Sequence, residues 1–280
     1  MRFEKWQALG NDYLILEQER LPWPLSAMRV EWLCDPHFGV GADGVLLLLP
    51  SEDPEFVAEL RIFNPDGSEA ELSGNGVREA ILYLRRNGWT EEYSFAIRTA
   101  AGPIVPTITG ELTCSVDMGR ASTTSKDYPS GDEDGTGTLE TAGRSWQFQH
   151  VSIGNPQCAI VVGEELEELD LEEIGPGIEG HKLFPNRTNV SFLAINGSRV
   201  RARIFERGVG ETLSSGTGAS GAAVTAFLRG APSPIVVELE GGELQVEVGE
   251  DLSVRLDGWA EPVYSGELSP ELLGALAELT

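Results

Sequence analysis

The chain has 280 residues, 41% apolar and 23% charged, which suits one large soluble domain or two of ordinary size. Its 45 acidic residues outnumber 20 basic ones, for a net charge of −25. That balance excludes nucleic acid or an anionic membrane as the expected partner, since both need a basic face.

No apolar run approaches the roughly 18 residues of a membrane span, and the opening "MRFEKWQALGNDY" lacks the apolar core of a secretory signal. A cytoplasmic location is expected. In chain order, "VLLLLP" at 45–50 and "EFVAELRIF" at 55–63 read as strands. A helix follows Gly76: Val77, Ala80, Ile81 and Leu84 fall on one face, and Arg85, Arg86 and Gly88 supply a basic last turn and a stop. Short β-rich segments then run from 95 to 119. Residues 121–144 are polar and rich in turn formers, which predicts a linker or a long loop. Cys34, Cys114 and Cys158 show neither paired spacing nor clustering with histidine, so they read as small buried hydrophobes, with no metal expected. Strands resume over 147–163 and 189–205. An alanine-rich helix ends at Gly230, and "LEGGELQV" predicts a hairpin about Gly241 and Gly242.

One segment occurs twice. "RIFNPDGSEAELSGNG" from Arg61 and "RIFERGVGETLSSGTG" from Arg203 align without a gap, with seven of 16 positions identical. Each half therefore carries a strand, a loop and a helix that opens at S-G-x-G. The predicted fold class is α+β: two pseudo-symmetric, sheet-rich domains, each wrapped around a central helix. The expected limits are 1–118 for the first half, 119–144 for the linker and 145–263 for the second half. The tail 264–280 is free to return to the first.

Serine before a glycine is in the first instance a helix cap. Two such helix starts offer more. Glycines admit a ligand close to the backbone, and the unpaired N–H groups of a helix N-terminus hold anions. Two facing ends could share one carboxylate, with Ser73 and Ser215 on opposite sides of the adjacent carbon. One group that removes a proton and another that returns it on the far face invert a stereocentre.

The ordered motifs "ALGNDY" (8–13), "GVGADGVLL" (39–47), "RIFNPDGSEAELSGNGVR", "VSIGNPQC" (151–158), "FPNRTNVSF" (184–192) and "RIFERGVGETLSSGTGA" make the chain resemble a diaminopimelate epimerase along essentially its whole length. The resemblance implies a cofactor-independent isomerase that interconverts LL- and meso-diaminopimelate on the way to lysine and cell-wall precursors. It implies an amino-acid substrate, no cofactor and no metal, and it leaves a homodimer open. By position it implies that Ser73 and Ser215 hold the catalytic places. Gly74, Asn75, Gly216 and Thr217 would cradle the reacting carboxylate. Asn11, Asn64, Asn155, Asn189, Glu206 and Arg207 would bind the amino and distal carboxylate ends.

The chain departs from that family at both catalytic places, where the family has cysteine. A hydroxyl is a far weaker acid than a thiol, so turnover should be lost or crippled. Three explanations remain: both cysteines were deliberately replaced, the chain binds without turnover, or it is an enzyme that works with serine. Gln157 stands where the family usually has histidine. Asp43 reads as a turn anchor, and His37, His150 and His181 receive no role. The rival readings are a proline- or hydroxyproline-type racemase of the same fold, and a non-catalytic amino-acid-binding relative.

Overall fold

The computed structural model describes residues 1–141 and 143–279. They form two compact units, one of Met1–Val116 with the chain from Trp259 onward, the other of Asp117–Gly258.

The first unit contains β1 (Arg2–Ala8), β2 (Asn11–Glu17), α1 (Ala27–Cys34), β3 (Val45–Pro50), β4 (Ala58–Phe63), β5 (Glu69–Ala70), α2 (Gly74–Arg86), β6 (Ile97–Thr99), β7 (Gly102–Ile104) and β8 (Pro106–Ile108). The chain changes unit within β9 (Thr113–Arg120). The second unit holds β10 (Thr136–Thr141), β11 (Arg144–Ser152), β12 (Pro156–Val161), α3 (Leu171–Glu179), β13 (Asn189–Asn196), β14 (Arg199–Glu206), β15 (Gly210–Thr212), α4 (Gly216–Leu228), β16 (Ile235–Leu239), β17 (Gly242–Val248) and most of β18 (Ser253–Trp259). Back in the first unit are β19 (Glu261–Glu267) and α5 (Pro270–Glu278).

The repeat extends well beyond its 16 aligned residues. In the first unit the strand order is β19-β1-β2-β3-β4-β6-β7, with β5 on β4; in the second it begins β10-β11-β12-β13-β14-β16-β17, with β15 on β14. Directions match as well. The β2/β3 and β4/β6 pairs are parallel, and so are β12/β13 and β14/β16. The first unit draws its outermost strand, β19, from the far end of the chain, whereas β10 precedes β11 directly.

The two central helices occupy equivalent positions, Gly74–Arg86 and Gly216–Leu228. Every residue of α2 from Asn75 to Leu84 is buried, as is every residue of α4 from Gly218 to Ala226. A helix buried on all sides needs small residues wherever strands approach closely. Gly218 is such a place: a Cβ there would lie 2.6 Å from Ile204 Cδ1 and 3.1 Å from Ser215 Cβ. Ile204 is itself only 1% exposed. Alanine at 218 is favoured by helix propensity, but the overlap should dominate. Gly218→Ala is expected to cost about 1–3 kcal/mol in chemical denaturation. Adding Ile204→Val, which removes the crowded methyl, is expected to recover part of that loss; no recovery would show that the contact does not set the cost.

The stretch 119–144 is a long loop over 121–135, one of the two expected readings, and not a linker between the units. It belongs to the second unit, supplies β10, and buries Tyr128 and Leu139 in a cluster with Trp146, Phe148 and Phe184. Its many polar turn residues concealed two anchors. Ala142 of this stretch lies outside the described residues, as does Thr280 of the expected tail. The second unit begins at Asp117 and ends at Gly258, and the return to the first begins at Trp259. Helices α1, α3 and α5 were not foreseen. The predicted hairpin is present, with Leu239 opposite Gly242, and all three cysteines are buried. Among the described residues no helix is long and apolar enough to cross a membrane.

Candidate active site

Each S-G-x-G segment folds as a capped helix start. Ser73 and Ser215 are both extended, with φ of −133° and −148°, and each precedes the first residue of its helix. Ser73 Oγ accepts from Gly76 N–H at 3.1 Å, and Ser215 Oγ accepts from Gly218 N–H at 3.2 Å. The capping expectation therefore holds at both serines. At each helix start the cap satisfies the N–H of the third helical residue.

In the first unit, Asn75 Nδ2 donates to Asn11 Oδ1 at 3.2 Å, and Asn11 Nδ2 donates to Asp43 Oδ2 at 3.0 Å. Asp43 also takes the Asp12 N–H at 3.0 Å, as a turn anchor should. Beneath the cradle lies Arg78, with no exposed surface. Its Nη1 donates to Gly74 C=O at 2.9 Å and its Nη2 to Asn75 Oδ1 at 2.6 Å. A buried cation thus lies under the first turn of α2, where it adds to the positive end of the helix. Tyr13 OH donates to Ser73 Oγ at 3.2 Å. Asn64 is not drawn to Ser73; its side chain donates to Ser68 Oγ at 2.9 Å and closes its own turn.

The second unit repeats part of this and changes part. Asn155 Nδ2 donates to Thr217 Oγ1 at 3.2 Å, the counterpart of the Asn11–Asn75 pair. Gln157 Nε2 donates to Asn155 Oδ1 at 2.7 Å, so the glutamine in the histidine's place orients this asparagine. Glu206 aligns with Asn64 in the repeat but behaves differently. Its carboxylate accepts from Ser215 Oγ–H at 3.1 Å and from Thr212 Oγ1–H at 2.9 Å. Burial pushes the Glu206 carboxyl above the usual range, and the two hydroxyls pull it partly back. A proton acceptor with a raised pKa therefore touches Ser215, whereas Ser73 receives the Tyr13 phenol.

Arg207 is exposed, and among the described residues no carboxylate comes within ion-pair distance of it. Its backbone N–H donates to Asn189 Oδ1 at 2.8 Å and its Nη1 to the Asn186 carbonyl at 3.0 Å. Asn189 in turn donates to the Pro156 carbonyl at 3.2 Å. Eleven other arginines pair with carboxylates. Arg207 shares the lack of a carboxylate partner with the exposed Arg86 and Arg229, but of these three it alone directly follows Glu206.

Sequence reasoning did not single out Tyr13, Arg78 or Thr212. Arg78 had a legible signal, since a residue four places after Gly74 returns to the carbonyl at the helix start. Tyr13 and Thr212 had none, because their contacts depend on β-pairing.

Solved structures share this arrangement of two sheet-rich units. A phenazine biosynthesis protein of the PhzF family from Bacillus anthracis matches with a TM-score of 0.69 and 19% identity, over 96% of this chain and 99% of that one. A hydroxyproline epimerase from Agrobacterium vitis matches with a TM-score of 0.66 and 16% identity, over 99% and 98%. The fold is thus the diaminopimelate epimerase-like fold, shared by several isomerases. The profile of the diaminopimelate epimerase family matches residues 3–124 and 149–258. Diaminopimelate epimerase 2 of Nostoc sp. is 39% identical over 279 residues, covering 97% of each chain. The chain belongs to the diaminopimelate epimerase family.

Proposed function

We propose that this chain binds diaminopimelate and carries the two-base layout that interconverts its LL and meso forms, with serine weakening the proton transfers. The observation that carries this reading is the duplicated helix start with Glu206 and Arg207 beside the second copy. Gly74 and Asn75, with Gly216 and Thr217, offer N–H groups to the reacting carboxylate. Asn11, Asn64, Asn155 and Asn189 present amides that both donate and accept, which suits ammonium and carboxylate groups alike. Ser73 and Ser215 take the two acid/base places. No cofactor is needed for this chemistry. The work lies in the cytoplasm, on the route to lysine.

Ser215 can pass its proton to Glu206 as it takes one from carbon. For Ser73, no carboxylate among the described residues of its own unit bonds the hydroxyl, which receives Tyr13 OH and caps Gly76 N–H. That asymmetry is the specific support for a second reading, a protein that binds the amino acid without inverting it. The two readings separate on α-proton exchange in heavy water. Exchange with inversion supports the enzyme, and tight binding without exchange supports the binder.

Arg207 tests the choice of ligand. A charge-assisted hydrogen bond to the distal carboxylate contributes roughly 1.5–3 kcal/mol. Arg207→Ala should therefore weaken diaminopimelate binding by at least about tenfold in titration calorimetry. Proline and hydroxyproline lack that carboxylate and should bind equally to both forms. Unchanged diaminopimelate affinity would remove Arg207 from the site. Tighter binding of proline than of diaminopimelate would shift the reading to the proline-type racemases.

A further inference from the structure

The turn that carries Glu206 and Arg207 is held mainly by side chains from other segments. Arg207 N–H donates to Asn189 Oδ1 at 2.8 Å, Gly208 N–H to Glu179 Oε1 at 2.7 Å and Glu211 N–H to Glu172 Oε1 at 3.0 Å. Val209 N–H is satisfied within the turn, by the Glu206 carbonyl at 3.0 Å. Gly208 has a φ of +80°, and the left-handed step after Arg207 turns two successive N–H groups toward acceptors. One acceptor is an amide; the other is a carboxylate.

Glu179 ends α3 and is 4% exposed. Its carboxylate also pairs with Arg187, and its backbone carbonyl takes Thr188 N–H at 3.2 Å. One residue thus ties the end of α3, the segment leading into β13 and the 206–210 turn to a single point. Burying a carboxylate is costly unless it is bonded, and here Oε1 takes both the Gly208 N–H and the Arg187 guanidinium. No role in ligand binding or proton transfer accounts for placing it there.

We infer that Glu179 is a positioning residue: through Gly208 N–H it fixes the turn so that the Arg207 guanidinium is held ready for the distal carboxylate of a dicarboxylic amino acid. The inference rests on the reading of Arg207 given above. Glu179 touches no ligand in this scheme. Its effect is to spare the ligand the cost of ordering the turn.

The test uses the whole chain and four variants. Without ligand, hydrogen exchange read by mass spectrometry over residues 206–211 should quicken at least about tenfold in Glu179→Ala, because the turn opens locally. Arg187→Ala, which removes the ion pair but leaves the Gly208 bond, should stay within about twofold of the parent. If Glu179→Ala does not fold, Glu179→Met keeps the volume, removes the acceptor and is read in its place. In calorimetry the acceptor-free variant should lose at least about tenfold in affinity for meso-diaminopimelate. It should bind L-lysine, which lacks the second carboxylate, as the parent does. A purely structural lesion would lower both affinities. Parental exchange in the acceptor-free variant would overturn the inference, as would an equal effect in Arg187→Ala. If Arg207→Ala leaves diaminopimelate affinity unchanged, the distal-carboxylate reading fails, while the exchange measurement still decides whether Glu179 holds the turn.

Discussion

Converting Ser73 and Ser215 together to cysteine is expected to raise diaminopimelate racemisation by many orders of magnitude. A free thiol titrates near 8.5, whereas an alcohol is a far weaker acid. Forming the base from serine is therefore much more costly than forming it from cysteine, before the helix N-terminus lowers that cost for either group. Sulfur accepts the capping N–H less well than oxygen, so a stability loss of about 1 kcal/mol should accompany the gain. The single variants are informative as controls. A two-base reaction with one good base should exchange the α-proton faster than it inverts the centre. Chiral chromatography and deuterium incorporation read the two rates separately. A dicysteine form that binds diaminopimelate but neither exchanges nor inverts it would end the epimerase reading in favour of a binding protein.

Glu79→Leu is expected to stabilise the protein at neutral pH by about 1–3 kcal/mol, the cost of a buried carboxyl group that is incompletely hydrogen-bonded. Glu79 lies within α2 with no exposed surface, and the Tyr13 backbone N–H is a weak donor to its carboxyl group, too poorly placed to offset its burial. Burial raises its pKa well above the usual range, with the Arg78 charge an opposing influence. The sign follows from the raised value. The folded state holds a proton that the unfolded chain releases near 4.5, so the contribution is fully present below that pH and is lost as pH rises through the folded value. Denaturation midpoints for the parent should therefore fall from mildly acidic toward alkaline pH, and Glu79→Leu should flatten that slope. A variant less stable than the parent at pH 8 would show that the Tyr13 N–H and the Arg78 charge outweigh the cost of burial.

Much of the fold could be read from residues whose constraint is local. Ser73 and Ser215 cap in sequence, the helix after each has a clear period or composition, and the glycines between them need no distant contact. The repeat let one half vouch for the other, and six motifs carried the family. Tyr128 and Leu139 illustrate what was not legible: each is a lone anchor among polar turn residues, and only its cluster with Phe148 and Phe184 shows that the segment is ordered. Helix α3 was missed because glycine and proline interrupt "LEEIGPGIE" and disguise its face. Of the candidate site, the identities were visible and the wiring was not. That Glu206 engages Ser215 while Asn64 closes its own turn depends on how far each strand extends before its loop begins. No spacing rule in the aligned segments distinguishes the two.

The outermost strand β19 has a consequence for how the protein is made. The second unit is one uninterrupted stretch of chain and is complete when residue 258 has been synthesised. The first begins with β1 but waits for β19, with Arg2 paired to Glu267. During synthesis β1 therefore has an open edge for the time needed to add more than half of the chain, a period of about ten seconds or more at typical elongation rates. An uncovered strand edge is a template for pairing with other chains. The later-begun unit is thus complete in sequence before the first, and nascent chains carry their unpaired strand edge at their earliest-made end.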